Sequence, residues 1–94
     1  EIEFLKSLKY FNCEECNISD LSNMTNLISI YRLYFRKNFI ESIAPIKNLL
    51  SLEMIDIRDN CISNFSPIDY LKENGKLTSV QGDSANDQDY SRCE

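Results

Sequence analysis

The sequence predicts an α/β fold: a short right-handed solenoid of stacked repeats, with a parallel sheet on its concave face and short helical or irregular returns on its convex face. Two observations predict it. Apolar residues recur at a step of 22, as Ile2, Met24, Ile46 and Ile68, then Leu5, Leu27, Leu49 and Leu71, then Leu8, Ile30 and Leu52. The same step links Phe11, Leu33 and Ile55, then Cys13, Phe35 and Ile57, then Ile18, Ile40 and Ile62. Asparagine recurs with them as Asn38 and Asn60, and Cys16 stands in that slot of the first copy. A unit this small cannot enclose an apolar face by itself, so a fixed short period means stacked units sharing one continuous core.

Within each copy the third and fourth apolar slots alternate with polar residues, the period of a half-buried strand. Strands are expected at about residues 9–14, 31–36 and 53–58, with Phe11 and Cys13, Leu33 and Phe35, and Ile55 and Ile57 pointing inward. Because every copy enters at the same height, these strands line up in one parallel sheet. The returns carry Ile18, Leu21 and Met24 and their equivalents into the same core. The asparagine slot falls where the chain bends inward, and its amide can satisfy peptide groups that the bend leaves unpaired. Asn38 and Asn60 are therefore expected in a buried ladder.

After Leu71 the spacing fails. Ser66 and Asp69 suggest a capping box, Pro67 a first helical position and Gly75 a stop, which predicts a helix over 67–74. Leu77 and Val80 rejoin the pattern if about three residues are inserted, giving a last strand over 76–81. The expected organisation is 1–4 as the end of a preceding repeat, then repeats at 5–26, 27–48 and 49–70. Residues 71–81 follow as a degenerate terminal repeat whose capping helix begins near 67, and 82–94 as an acidic tail too polar to stay ordered. Ile2 and Leu5 open the sequence without a polar cap, so a longer parent chain with further repeats is expected; the alternative expectation is a monomer.

The segments Leu27-Ile-Ser-Ile-Tyr-Arg-Leu-Tyr-Phe-Arg-Lys-Asn-Phe-Ile and Leu49-Leu-Ser-Leu-Glu-Met-Ile-Asp-Ile-Arg-Asp-Asn-Cys-Ile resemble leucine-rich repeats. They resemble the 22-residue class found in bacterial internalins and in eukaryotic phosphatase-regulator-type repeat proteins. Ile43-Ala44-Pro45-Ile46 and Phe65-Ser66-Pro67-Ile68 are similar to the Ile-Ser-Pro-Leu turn of that class, and the resemblance covers residues 5–71. It implies a non-catalytic module that binds a protein partner through the concave sheet face. On the cytosolic side of the family that means an adaptor or regulatory subunit; on the internalin side, a bacterial surface or secreted adhesin domain.

A net charge of −5, from 10 basic and 15 acidic residues, argues against nucleic acid or an anionic membrane as the main partner. Much of the excess lies in Asp83, Asp87, Asp89 and Glu94, so the repeats themselves are near neutral. Histidine is absent, which excludes Ser-His and Cys-His nucleophile pairs and imidazole pH switches. No apolar run has membrane-spanning length, and no cofactor or metal is implied.

The outward strand positions are free to meet a ligand. The candidate partner-binding set is Tyr10, Asn12, Arg32, Tyr34, Arg36, Met54, Asp56 and Arg58. Tyr, Arg and Met are enriched in protein contact surfaces because they join apolar area to a polar end or an adaptable thioether. The plainer reading is solvated charge ladders: Glu14 with Arg36, Glu15 with Lys37 and Asp59, Lys9 with Glu53.

Cys13-Glu14-Glu15-Cys16 is a C-x-x-C, which raises redox and zinc chemistry. Cys61 and Cys93 are far away in sequence and no histidine completes a ligand set, whereas the repeat explains Cys13 and Cys16 as buried slots. The expectation is free, metal-free thiols, with Cys61 facing the surface and a thiol-dependent enzyme at Cys13 or Cys16 kept as a remote alternative. Thiols suit a reducing cytosol, so a cytoplasmic location is expected, with the cell surface or secretion as the alternative. The triplets at Asn17, Asn23 and Asn64 match glycosylation acceptors, a pattern that arises by chance among ten asparagines. Ser7, Ser29 and Ser51 also share the repeat step; with no base to activate them they are small polar residues at a crowded strand entrance.

Overall fold

A computed structural model describes residues 2–93; Glu1 and Glu94 lie outside the described residues. A short helix α1 (Ile2–Ser7) leads into β1 (Tyr10–Asn12), followed by β2 (Arg32–Tyr34), β3 (Met54–Asp56), α2 (Ser66–Asn74) and β4 (Ser79–Gln81). Single 3-10 turns at Ser22–Asn26 and Ala44–Ile46 occupy the first two returns, and two more, Ala85–Asp87 and Tyr90–Arg92, follow β4. The strands form one parallel sheet in chain order. Tyr10, Arg32, Met54 and Ser79 lie in register, so the step is 22, 22 and then 25 residues. The extra residues lie in the return that carries α2 rather than a 3-10 turn.

Each strand is only three residues long because the chain must bend away from the sheet at the same point in every copy. The bend is made by Glu15, Lys37 and Asp59, with φ of 56°, 62° and 59°. L-residues visit this left-handed region reluctantly. It is held here by a ladder of backbone bonds: the Glu15 N–H donates to Arg36 O at 3.1 Å, Lys37 to Arg58 O at 3.0 Å and Asp59 to Asp87 O at 2.8 Å.

The asparagines brace the same bend. Asn38 Oδ1 accepts from the N–H groups of Cys16 (2.9 Å) and Ile18 (3.0 Å), while its Nδ2 donates to Cys13 O and Phe35 O, both at 2.9 Å. Asn60 repeats this, accepting from Ile40 N–H at 3.1 Å and donating to Phe35 O and Ile57 O. Both side chains are fully buried, so each would leave several desolvated peptide groups unpaired if removed. Ser51 serves a similar end at the strand entrance, its hydroxyl donating to Ile28 O and Ile30 O.

The core runs between the sheet and the returns. Leu33, Phe35, Ile55 and Ile57 beneath the strands are 0% exposed, and Leu27, Ile43, Leu49, Leu52, Ile68 and Leu71 close around them. The first copy is looser: Leu5, Leu8, Phe11, Cys13, Ile18 and Met24 are only partly buried. The segment 1–4 was expected to end a preceding repeat; its described residues, 2–4, lie in α1.

Three expectations are corrected. The capping box on α2 does not form: the helix starts at Ser66 without a side-chain cap, and Asn64 Oδ1 takes the Ser66 N–H at 3.0 Å in its place. The segment after 81 is not disordered but folds over the last repeat. Gln88 Oε1 accepts from Asn60 N–H (3.1 Å) and Ile62 N–H (3.3 Å), and its Nε2 donates to Ile57 O (3.0 Å) and Gly82 O (2.8 Å). These are the bonds that Asn38 makes to the first copy, so Gln88 stands in as the next asparagine of the ladder. Tyr90 donates its hydroxyl to Ile62 O, and Arg92 donates to Lys37 O and Asn38 O while lying 4.7 Å from the Phe39 ring centre.

The third correction concerns the cysteines. Cys13 is bonded to Cys16 and Cys61 to Cys93, so no described cysteine is free. The bend brings Cα13 and Cα16 to 5.4 Å, and the folded tail brings Cα61 and Cα93 to 5.8 Å, both within bridging range. Cys61 is buried rather than surface-facing, and Cys16 is exposed rather than part of the buried ladder.

Candidate functional site

The outer face of the sheet gathers six of the eight expected contact residues on its strands: Tyr10 and Asn12 on β1, Arg32 and Tyr34 on β2, Met54 and Asp56 on β3. Arg36 and Arg58 follow just beyond the strand ends. The face divides into two parts with different chemistry.

One part is an apolar diagonal. The Tyr10 and Tyr34 rings lie 5.4 Å apart at 49°, and the Tyr34 hydroxyl sits 3.2 Å from Met54 Sδ. Tilted rings at this spacing attract one another and hold each other's rotamers. Tyr10 is 49% exposed, a large value for an aromatic residue, while Tyr34 and Met54 are half-buried by their neighbours. Arg32 is exposed beside them, its guanidinium 5.6 Å from the Tyr31 ring centre.

The other part is charged and already paired. Arg36 Nε reaches Asp59 at 3.1 Å and its NH1 reaches Glu14 at 3.5 Å. Arg58 grips Asp56 with two bonds, at 3.0 and 2.7 Å. That hydrogen-bonded pairing with Asp56 raises the Arg58 pKa above its ordinary value. Asp56 is 6% exposed, so this outward carboxylate is covered, not presented. Asn12 is exposed but spends its Oδ1 on the Glu14 N–H at 3.2 Å.

Of the charge ladders, Glu14 with Arg36 forms, whereas Asp59 is taken by Arg36 rather than by Lys37. Ser79 and Gln81 of β4 extend the face and were not singled out from sequence, although the register that puts Val80 beside Ile55 also puts both outward. Cys13 and Cys16 stand in this site as a disulfide, not as the free thiols expected.

Comparison with known proteins bears on the fold. No family model matches the sequence, and no curated protein matches it. Among solved structures, the internalin InlF from Listeria monocytogenes is similar with a TM-score of 0.74 at 21% identity. The match covers 84% of this chain and 22% of the internalin, so the chain spans about a fifth of that protein's length. The fold is thus that of a leucine-rich-repeat stack, with its parallel strands on one face. None of the described helices is long and apolar enough to cross a membrane.

Proposed function

We propose that the chain is a non-catalytic protein-binding module that seats a protein partner on the concave sheet face, centred on Tyr34. The supporting observation is the uncovered diagonal of Tyr10, Tyr34 and Met54 on a parallel sheet whose other face packs on the core, fully at Leu33 and Ile55. Parallel sheets are normally covered on both faces, and aromatic and methionine side chains left on one face supply area that a partner can desolvate. Arg32 borders the diagonal and contributes a directional donor; Arg36 and Arg58 act mainly as the paired rim, since their three carboxylate partners, Glu14, Asp59 and Asp56, come from the chain itself.

The paired cysteines move the setting away from the cytosolic adaptor. Two disulfides persist in an oxidising compartment, so an exported or surface-exposed binding domain of internalin type is the reading they favour. The test is a photo-crosslinking residue placed at Tyr34 and, separately, at Lys47 on the opposite side. The Tyr34 probe is expected to trap a partner in a saturable way that unlabelled protein competes away. Tyr34→Ala should weaken that partner's affinity about thirtyfold, the effect of losing about 2 kcal/mol at a central aromatic contact. Trapping from Lys47, with none from Tyr34, would place the partner elsewhere.

A further inference from the structure

We propose that the Cys13–Cys16 disulfide is a thiol-exchange site, opened by attack of a low-molecular-mass thiol on Cys16 while Cys61–Cys93 stays closed. The two bridges sit in different surroundings. Cys16 is exposed, whereas Cys13 lies half-buried in the inward row with Phe35 and Ile57. Cys61 is 7% exposed and Cys93 is half-buried beside it. Exchange requires a thiolate to approach along the S–S axis from behind the sulfur it attacks, so access selects the sulfur. Cys16 is the solvent-exposed partner of the bridge, and Cys13 is the one packed against the core.

The repeat shows why opening this bridge leaves the fold intact. Asn38 and Asn60 each close their own bend with a hydrogen bond to the carbonyl three residues back, Phe35 O and Ile57 O. Cys16 and Cys13 occupy the corresponding pair of positions, and the disulfide makes the closure covalently. Two copies therefore hold the same bend without a covalent link. In the first copy the bend is also held from outside, by Asn38 on Cys13 O, Cys16 N–H and Ile18 N–H, and by the Glu15 N–H on Arg36 O. None of these bonds uses sulfur.

The second bridge has an approach of its own, a cavity of about 430 Å³ lined by Phe39, Glu41, Cys61, Arg92 and Cys93. The chain there is fastened by Tyr90 on Ile62 O and by Arg92 on Lys37 O and Asn38 O. Even so, Cys61 is 7% exposed and Cys93 half-buried, so a thiolate entering there meets sulfurs better covered than that of Cys16.

At Cys16 the thiolate's electron pair forms the new S–S bond, and the pair of the old bond leaves on Cys13, which takes a proton from water. A second thiol then attacks the added sulfur and releases the Cys16 thiolate. The small thiol is oxidised to its own disulfide and the cysteine pair is reduced by two electrons.

The experiment exposes the folded protein, purified without reductant, to 2-mercaptoethanol at neutral pH, with timed quenching by iodoacetamide and peptide mass spectrometry. The mercaptoethanol adduct is expected on Cys16 and the alkyl group on Cys13, about tenfold or more ahead of any label on Cys61 or Cys93. The circular dichroism spectrum should be unchanged while only the first pair is open. The proposal is overturned by a first adduct on Cys13, by equal rates at the two bridges, by unfolding with the first reduction, or by alkylation of Cys13 and Cys16 before any thiol is added. A Cys13→Ser/Cys16→Asn double variant, which restores the asparagine slot, should fold and lose the fast phase; retention of that phase overturns the assignment.

Discussion

At the scale of single residues, position in the pleat decides what a substitution does. Leu33 is 0% exposed and its neighbour Arg32 is exposed, although one peptide bond separates them. Leu33→Asp places a carboxylate where nothing can pair it, at a cost of several kcal/mol, comparable with the whole stability of a small domain. It should abolish the cooperative thermal transition, whereas Arg32→Asp should move the midpoint by only a few degrees; equal effects would show the inward and outward assignment to be wrong. Gly82 tests the backbone in the same way. Its φ is +103°, and a Cβ there would stand 2.7 Å from Arg58 N, against backbone that cannot swing aside. Gly82→Ala is expected to lower the midpoint clearly, because the strain and the clash add.

At the scale of elements, the tail works as a cap held by hydrogen bonds and the Cys61–Cys93 bridge more than by apolar area. Gln88→Ala would strip the Asn60 and Ile62 N–H groups and the Gly82 carbonyl of the partner it supplies, and would leave Ile57 O with Asn60 Nδ2 alone. Those that water cannot reach cost about 1–3 kcal/mol each, so chemical denaturation should show a loss of a few kcal/mol. A Gln88→Ala protein as stable as the parent would mean that the tail does not cap the ladder. The strands were legible in the sequence because two patterns coincide there, alternation within a copy and recurrence between copies. The cap was not, for physical reasons. Gln88 falls 28 residues after Asn60, outside the period, and reaches the ladder with a side chain one methylene longer. Composition speaks to apolar burial, which this segment does not use. Four cysteines allow three pairings, and spacing alone chooses none of them. The sheet face was legible as a set of positions; which arginines are spent on their own carboxylates depends on side-chain geometry that no spacing encodes.

At the scale of the whole molecule, the stack is unequal from end to end. Repeats contact only their neighbours, so local stability depends on how completely each copy is covered. Copies two and three lie between neighbours, with the tail fastened over the last, while the first has all its apolar slots but Leu21 only partly buried and β1 at the edge of the sheet. Cys13, Phe35 and Ile57 occupy the same slot in successive copies, and their N–H groups donate to Tyr34 O, Asp56 O and Gln81 O at 2.8–2.9 Å. Bonds of equal geometry should nonetheless exchange unequally. Native-state hydrogen exchange is expected to release Cys13 first, through local opening of the first copy, and Ile57 last, only with global unfolding. Identical protection at the three positions would mean that the stack opens as one unit. The gradient bears on binding, since the contact diagonal joins Tyr10 on the loose copy to Tyr34 and Met54 on the firm ones. A partner seated across all three can stabilise only what opens in its absence. Binding should therefore slow exchange at Cys13 far more than at Ile57, and a partner that protects neither does not span the diagonal.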